Sequence, residues 1–388
     1  MKVLQVHNYH QCRGGEEVMY EAISRTLTEK GHDVFALERS NADVQGLWGK
    51  IRAFREGSYS SSAKKTISSI LESKHPDIVH VHNVYTLISP SVLVACRHFK
   101  VPVVIRCADF RFISCPTGNH LKNGSVCERC VGGREFWCVM RNCRGNVCES
   151  LAYTLRTTVA RRWRLFEDNV TLYVPPSVFV RQRLIDAGFP QERITVIPNM
   201  VSVPDAVKDN SRGKYVAYVG RISPEKGIDT LLAAAGKTGL PARVAGDNSK
   251  MPELVKTAPP KARFTGLMDR DQVAEFYRNA RFSVVPSICF ETFGLAAAEA
   301  MSHGLPVIAS KTGALPEIVE DGVTGFLFRP GNTEELAGKM RLLWENPDLC
   351  RKMGKAARDK VIREYGEDLY YKRLMETYHR AIELEKAS

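Results

Sequence analysis

No stretch of the 388 residues approaches the ~20 consecutive apolar side chains that a membrane-spanning helix needs, which excludes an integral membrane protein of the helical kind. The opening MKVLQVHNYHQC turns polar after a short apolar-leaning strand, so the hydrophobic core of a secretion signal is missing as well, and the chain is expected to stay in the cytoplasm. Internal repeats, low-complexity tracts and the G-x-G-x-x-G of a dinucleotide binder are also absent. Acidic residues fall short of basic ones, 43 against 55, and the shortfall is uneven: residues 1–200 hold 27 Lys/Arg against 18 Asp/Glu, residues 201–388 hold 28 against 25. The first half should therefore meet something anionic. Its basic residues are dispersed and no nucleic-acid motif accompanies them, so an anionic membrane surface or a diphosphate-linked acceptor fits and nucleic acid does not. With 44% apolar and 25% charged residues the chain is an ordinary globular one, long enough for two domains with ample core. In a reducing compartment its eleven cysteines are expected to be thiols or metal ligands rather than disulfides.

What is present is organised around residues 285–309, VPSICFETFGLAAAEAMSHGLPVIA, which read as strand, loop, helix, turn, strand. Thr292 to His303 is Ala-rich helix former, stopped by Gly304 and Pro306. Glu291 is placed at the helix mouth and Glu299 two turns up on a buried face, where a carboxylate wants hydroxyl partners. A loop of small residues at the carboxyl end of a parallel strand feeds the helix N-terminus through Phe293-Gly294-Leu295, where such sheets bind phosphate groups.

Glu291-x7-Glu299 follows Pro286-Ser287, is joined upstream to Gly220-Arg221 and Glu225-Lys226-Gly227, and lies between Ile197-Pro198-Asn199 and Gly325-Phe326-Leu327. In this order the residues resemble the retaining GT-B glycosyltransferases of family four, over nearly the whole chain. The resemblance implies an α/β fold of two Rossmann-like domains facing across a cleft. The expected division is an N-terminal acceptor-side domain at 1–200 with a cysteine-rich insert at 109–150, a nucleotide-sugar domain at 201–366, and a helix at 367–388 that packs back on the first domain. Tyr370, Tyr371, Leu374 and Tyr378 suggest that contact.

Along the chain, Lys2 to Val6 reads as a first strand, and Gly14-Gly15 opens a helix from Glu16 to Lys30. Two glycines there let backbone N–H groups approach a phosphate or sugar, or form a plain turn; in the relatives they lie against the donor diphosphate. His80 and His82 fall on one face of the strand starting at Asp77. After the next strand the family commonly reads His-Asp, whereas this chain reads Ala108-Asp109, so His80, His82 or Asp109 must substitute, or the chemistry does without, or catalysis has lapsed. Cys115, Cys127, Cys130, Cys138, Cys143 and Cys148 crowd into 34 residues, and Cys127-x2-Cys130 has the spacing of a structural zinc knuckle. Free thiols and an iron–sulfur cluster are the alternatives. A subset of relatives carries a similar insert, which implies Cys115, Cys127, Cys130 and Cys143 as the ligands. Leu151, Leu155, Val159, Trp163 and Phe166, interleaved with arginines, make an amphipathic basic helix whose apolar face is expected to meet its own core, with a membrane as the other reading.

In the second half, Arg221 and Lys226 follow the Tyr215–Gly220 strand, where forked and point cations suit a diphosphate and offset the charge growing on a leaving nucleotide. Val244 to Asp247, with Gly246, resembles the next strand end, and Met268 the loop facing the nucleobase. The expected activity is a retaining hexosyltransferase using a UDP- or GDP-linked sugar. Arg221, Lys226, Glu291, Asp109 and His82 would be its catalytic residues, and Gly14, Gly15, Gly246, Asp247, Met268, Phe293, Gly294, Leu295 and Glu299 its donor contacts. No cofactor is required beyond a structural zinc. The acceptor would be a carbohydrate or lipid-linked hydroxyl in surface or exopolysaccharide synthesis, at the inner face of the membrane. The rival reading is a nucleotide-sugar-binding protein without turnover, motivated by Ala108. A phosphorylase ranks last, since no pyridoxal phosphate lysine signature is found.

Overall fold

The structure, a computed structural model, describes all residues except Cys12, Arg13, Ser114, Asn119, Lys250 and Ser388, and it leaves undescribed the side chains of Leu47, Lys50, Ile51, Arg52 and Phe112. The chain forms two compact units. Met1–His120, Cys127–Ile197 and Tyr370–Ser388 make the first; Leu121–Val126 and Pro198–Leu369 make the second.

In the first unit five strands, β1 (Lys2–Tyr9), β2 (Asp33–Ser40), β3 (Ile78–Asn83), β4 (Val103–Arg106) and β5 (Leu172–Val174), form a parallel sheet in the order β2-β1-β3-β4-β5. Parallel strands are covered on both faces, and IVHVHN of β3 is accordingly buried throughout, histidines included. Each apolar side chain closed off here, such as Val79, Val81 or Ile105, contributes roughly 1.5–3 kcal/mol. Helix α1 (Gly15–Glu29) follows β1, α2 (Gly46–Ser58) and α3 (Ser61–Lys74) follow β2, and α4 (Ser91–His98) follows β3. The polar, basic stretch 39–60 thus contains a helix. The insert carries a short helix α5 (Trp137–Met140), and α6 (Val147–Arg162) follows it.

The C-terminal helix Glu367–Lys386 joins the first unit from Tyr370 onward. Its Tyr378 is wholly buried with its hydroxyl 2.7 Å from Nδ1 of His80, and Tyr371 reaches His32 at 2.9 Å. His80 is thereby engaged as an anchor for this helix rather than exposed at a strand end.

The second unit holds six parallel strands, β6 (Tyr215–Val219), β7 (Ala242–Ala245), β8 (Ala262–Gly266), β9 (Ala280–Val285), β10 (Val307–Ser310) and β11 (Gly325–Phe328), in the order β8-β7-β6-β9-β10-β11. Apolar clusters cover both faces, one around Phe276, Tyr277, Ala297 and Met301, the other around Leu231, Ala235, Leu336 and Met340. Strand order reverses direction between β6 and β9 here, and between β1 and β3 in the first unit. Such switch points part the loops at the strands' carboxyl ends and open a crevice for ligands.

Candidate functional site

At the switch point of the second unit, the loop after β6 delivers Arg221 and Lys226 and the loop after β9 delivers Glu291. Lys226 Nζ lies 2.6 Å from Glu291 Oε1, with both side chains mostly buried. Ser287 donates its hydroxyl to the same Oε1, and among the described residues Oε2 has no partner. Burial would raise the Glu291 carboxyl, but Lys226 and Ser287 overcome it and hold the group below its ordinary range, so the pair is ionic. The sequence reading kept the two apart, cation to diphosphate and acid to sugar; the structure makes them one unit whose free oxygen can still accept a hydroxyl.

Backbone geometry locks this pair. Gly227 takes φ +64, and a Cβ there would stand 2.1 Å from the Pro286 carbonyl oxygen. The N–H of Ile288 donates to the Glu225 carbonyl at 3.0 Å, lacing the two loops together. Arg221 is largely exposed, 3.7 Å from Glu225, so its fork remains available to a ligand. Gly246 sits against Gly220, where a Cβ would meet the carbonyl oxygen at 2.0 Å, and Asp247 closes its own turn onto Ser249 N–H. Met268 packs against the core edge beside the exposed Leu267.

The helix expected from Thr292 begins only at Leu295, because Gly294, at φ +105, caps it in a conformation that L side chains rarely adopt. Glu291 therefore lies in the loop rather than at the helix mouth, while Phe293 is buried and the first N–H groups of Leu295–Ser302 are left for a ligand. Burial pushes the Glu299 carboxyl from its ordinary 4.5 up to about 7, only weakly opposed by Arg270. The folded protein thus keeps this proton over a range where the unfolded chain has released it, so Glu299 makes stability fall as pH rises from about 4.5 through about 7. Melting curves across that window should flatten in Glu299→Gln. Binding of a hydroxyl-bearing ligand to the carboxylate should tighten as pH passes about 7 in the wild type only.

At the switch point of the first unit lies a recess of about 10 Å³, lined among others by Glu16, His82, Asn83, Ala108, Asp109 and Arg111. That is room for one water or one hydroxyl group. Arg111 grips both carboxylate oxygens of Asp109 with its backbone N–H and its guanidinium, and also reaches Asn83 Oδ1 at 3.2 Å. Glu16 is 2.9 Å from His10 Nε2. Burial alone would raise the Glu16 carboxyl; the hydrogen bond with His10 and the charge of Arg111 reverse this and hold it at about 2. The His82 ring lies 4.2 Å, centre to centre, from that of His80 with the planes tilted by 31°, burial lowers its pKa well below the ordinary value, and neither of its ring nitrogens has a partner among the described residues. Gly14 is less open than expected: its N–H donates to Glu17 Oε2 at 2.8 Å, the one half of a capping box that a residue without a side chain can make, while Gly15 starts α1.

His10, Glu16, Asn83 and Arg111 were missed in the sequence. A carboxylate directly after two helix-opening glycines, and an arginine two residues from Asp109, were the available signals. The five thiols Cys115, Cys127, Cys130, Cys138 and Cys143 gather within electrostatic range of one another around Cys130, and no disulfide joins the described cysteines. Among the described residues, however, no three His, Cys, Asp or Glu side chains stand in a metal-holding arrangement. Cys138, outside the expected ligand set, is the most deeply buried of the group.

Two family models match the chain: "Glycosyl transferase 4-like domain" at residues 14–200 and "Glycosyl transferases group 1" at residues 204–360. The chain belongs to the group 1 glycosyl transferases. An uncharacterized glycosyltransferase of Methanocaldococcus jannaschii is 24% identical over 92% of this chain and 93% of its own length. The sulfoquinovosyl transferase of Arabidopsis thaliana is 40% identical, over 38% of this chain and only 29% of its own length. Among solved structures, Anabaena HepE in complex with UDP and glucose superposes with a TM-score of 0.70 at 20% identity, covering 98% of this chain and 100% of that one. Sucrose-phosphate synthase of Thermosynechococcus elongatus gives 0.73 at 18%, covering 100% of each. These similarities show the GT-B fold for this group 1 glycosyl transferase.

Proposed function

We propose that this protein transfers a hexose, with retention of configuration, from a nucleoside diphosphate sugar to a hydroxyl of a carbohydrate or lipid-linked acceptor in surface polysaccharide synthesis. The observation that carries the reading is the Lys226–Glu291 pair at the β6/β9 switch point, with one carboxylate oxygen left over and Arg221 beside it. A diphosphate needs cations there, and a sugar needs a fixed acceptor of its hydroxyl protons. Arg221 and Lys226 would neutralise the departing diphosphate, Glu291 Oε2 would hold a sugar hydroxyl, and Glu299 the ribose. The bond from C1 to the diphosphate oxygen breaks, a bond from C1 to the acceptor oxygen forms on the same face, and the acceptor proton passes to the departing diphosphate. In the first unit the hydroxyl-sized recess with His82 and Asp109, and the neighbouring 160 Å³ cavity lined by Tyr85, Arg111, Arg161 and Phe166, suit sugar hydroxyls and an acceptor. Supporting the donor class, the Anabaena relative binds UDP and glucose. Following the anomeric proton of the first product by NMR during turnover of an α-linked donor tests the reading. An α product is expected, and a β product overturns retention.

The structural zinc belongs to the same proposal, on the Cys127-x2-Cys130 spacing and the gathering of thiols. When bound, the ion would supply folding energy to the insert and no catalytic step. Metal analysis of protein purified without added zinc should find about one ion per chain, lost in Cys127→Ser and Cys130→Ser together with solubility. Protein free of metal with every thiol titratable in the native state would remove it.

A further inference from the structure

Helix α6 is inverted. Its buried residues are Ser150, Thr154, Arg156, Thr157 and Ala160, while Val147, Leu151 and Leu155, which share one face at i, i+4 and i+8, are 58%, 42% and 41% exposed. This overturns the expectation that the leucines face their own core. The cause lies in what the inner face does. Arg156 is held between the rings of Tyr85 and Tyr153, Thr154 donates to the Glu135 carbonyl, Ser150 to Asn142 Oδ1, and Arg161 pairs with Glu135 at 2.6 Å. The polar side chains are consumed in fastening the cysteine-rich insert, so the apolar ones are left outside. Helices α2 and α5 both pack against α6, and they add Trp48 at 82% and Met140 at 73% exposure. Beyond the last turn Trp163 is also largely exposed.

The charge around this face is mostly positive. Residues 129–164 contain eight arginines, no lysine, and only Glu135 and Glu149 as acids; Arg156 is buried, Arg161 pairs with Glu135, Arg144 with Glu149 and Arg164 with Asp168, while Arg129, Arg134 and Arg162 are exposed with no ion pair among the described residues. An apolar stripe flanked by aromatic side chains and an arginine excess has the composition of surfaces that lie in the boundary of an anionic bilayer, apolar groups among the acyl chains and cations at the headgroups. A protein partner would need acidic groups facing the same arginines. We infer that the outer face of α6, with the neighbouring tips of α2 and α5, seats this protein on an anionic lipid surface. The inference stands on the face itself and is independent of the transfer reaction.

The test is sedimentation of the full-length protein with vesicles of phosphatidylcholine alone and of phosphatidylcholine with phosphatidylserine. Binding is expected to the anionic vesicles, weakened by added salt and weak on the neutral ones. The double substitution Leu151→Ser with Leu155→Ser should lower the bound-to-free ratio roughly tenfold or more while the melting temperature holds, because neither leucine is buried. Should that variant not fold, Arg144→Gln with Arg162→Gln reads the same face through charge, with a loss of roughly fivefold per arginine. No sedimentation with either vesicle, or equal sedimentation of wild type and variants, overturns the inference. So does a wild-type dimer that binds no vesicle and that Leu151→Ser with Leu155→Ser disperses, which would give the face to a second copy of the chain. The assay reads no sugar transfer, so an inert enzyme that sediments leaves the inference standing, and an active one that does not sink removes it alone.

Discussion

Lys226→Ala is expected to lower kcat/KM for the nucleotide sugar about 10²- to 10³-fold, most of it in kcat. Charge on the departing diphosphate is largest in the transition state, so a fixed cation at the switch point acts there more than on the bound ground state. The loss has a second source in this chain. Glu291, mostly buried, would be left with Ser287 alone, and stripping one partner from a buried ion pair costs about 3–5 kcal/mol. The variant should therefore melt earlier as well. Lys226→Ala combined with Glu291→Gln should recover the melting temperature without recovering turnover, separating the two effects; recovery of turnover would deny Lys226 its chemical role.

His82→Gln is expected to cut turnover by roughly 10²-fold, within the 10²- to 10⁴-fold range of positioned acid–base groups, with little change in donor KM. Of the three candidates to replace the residue missing at Ala108, His80 is bonded to Tyr378 and Asp109 is gripped by Arg111; His82 alone lines the recess with ring nitrogens left unpartnered among the described residues. Burial keeps it neutral at pH 7, so the ring can both accept and donate. His80→Ala should behave differently, destabilising the attachment of the C-terminal helix by about 2–4 kcal/mol with kcat of the surviving fold intact. If wild type is inert with every donor and Ala108→His alone awakens it, catalysis has lapsed and the function proposed above is wrong.

Much of the fold was legible because parallel strands announce themselves as short apolar runs followed by glycine-led turns. The runs at 2–6 and 215–220 read as strands, and Arg221, Lys226 and Glu291 were placed after strands of the second half, but no strand order could be read from them. The pairing of Lys226 with Glu291 was not legible, since it depends on how Gly227 and Pro286 fit between two loops sixty residues apart in sequence. Helix α6 misled for a related reason. Its periodicity was read correctly, yet periodicity says only that two faces differ; which one turns inward was decided by Tyr85 and Glu135, whose proximity the sequence does not encode locally. His10 and Glu16 escaped notice because each is unremarkable alone and becomes a site only where β1 meets α1.

The central claim is that a nucleoside diphosphate sugar is held at the β6/β9 switch point. Thermal denaturation of wild type, Lys226→Ala and Glu299→Ala against a panel of nucleoside diphosphate sugars tests it most directly. A cognate donor at about 100 times its Kd should stabilise the wild type by about 2.7 kcal/mol, and substantially less of that gain should survive in Glu299→Ala, which lacks the carboxylate for the ribose. No stabilisation by any donor, or the same gain in all three proteins, would contradict the account.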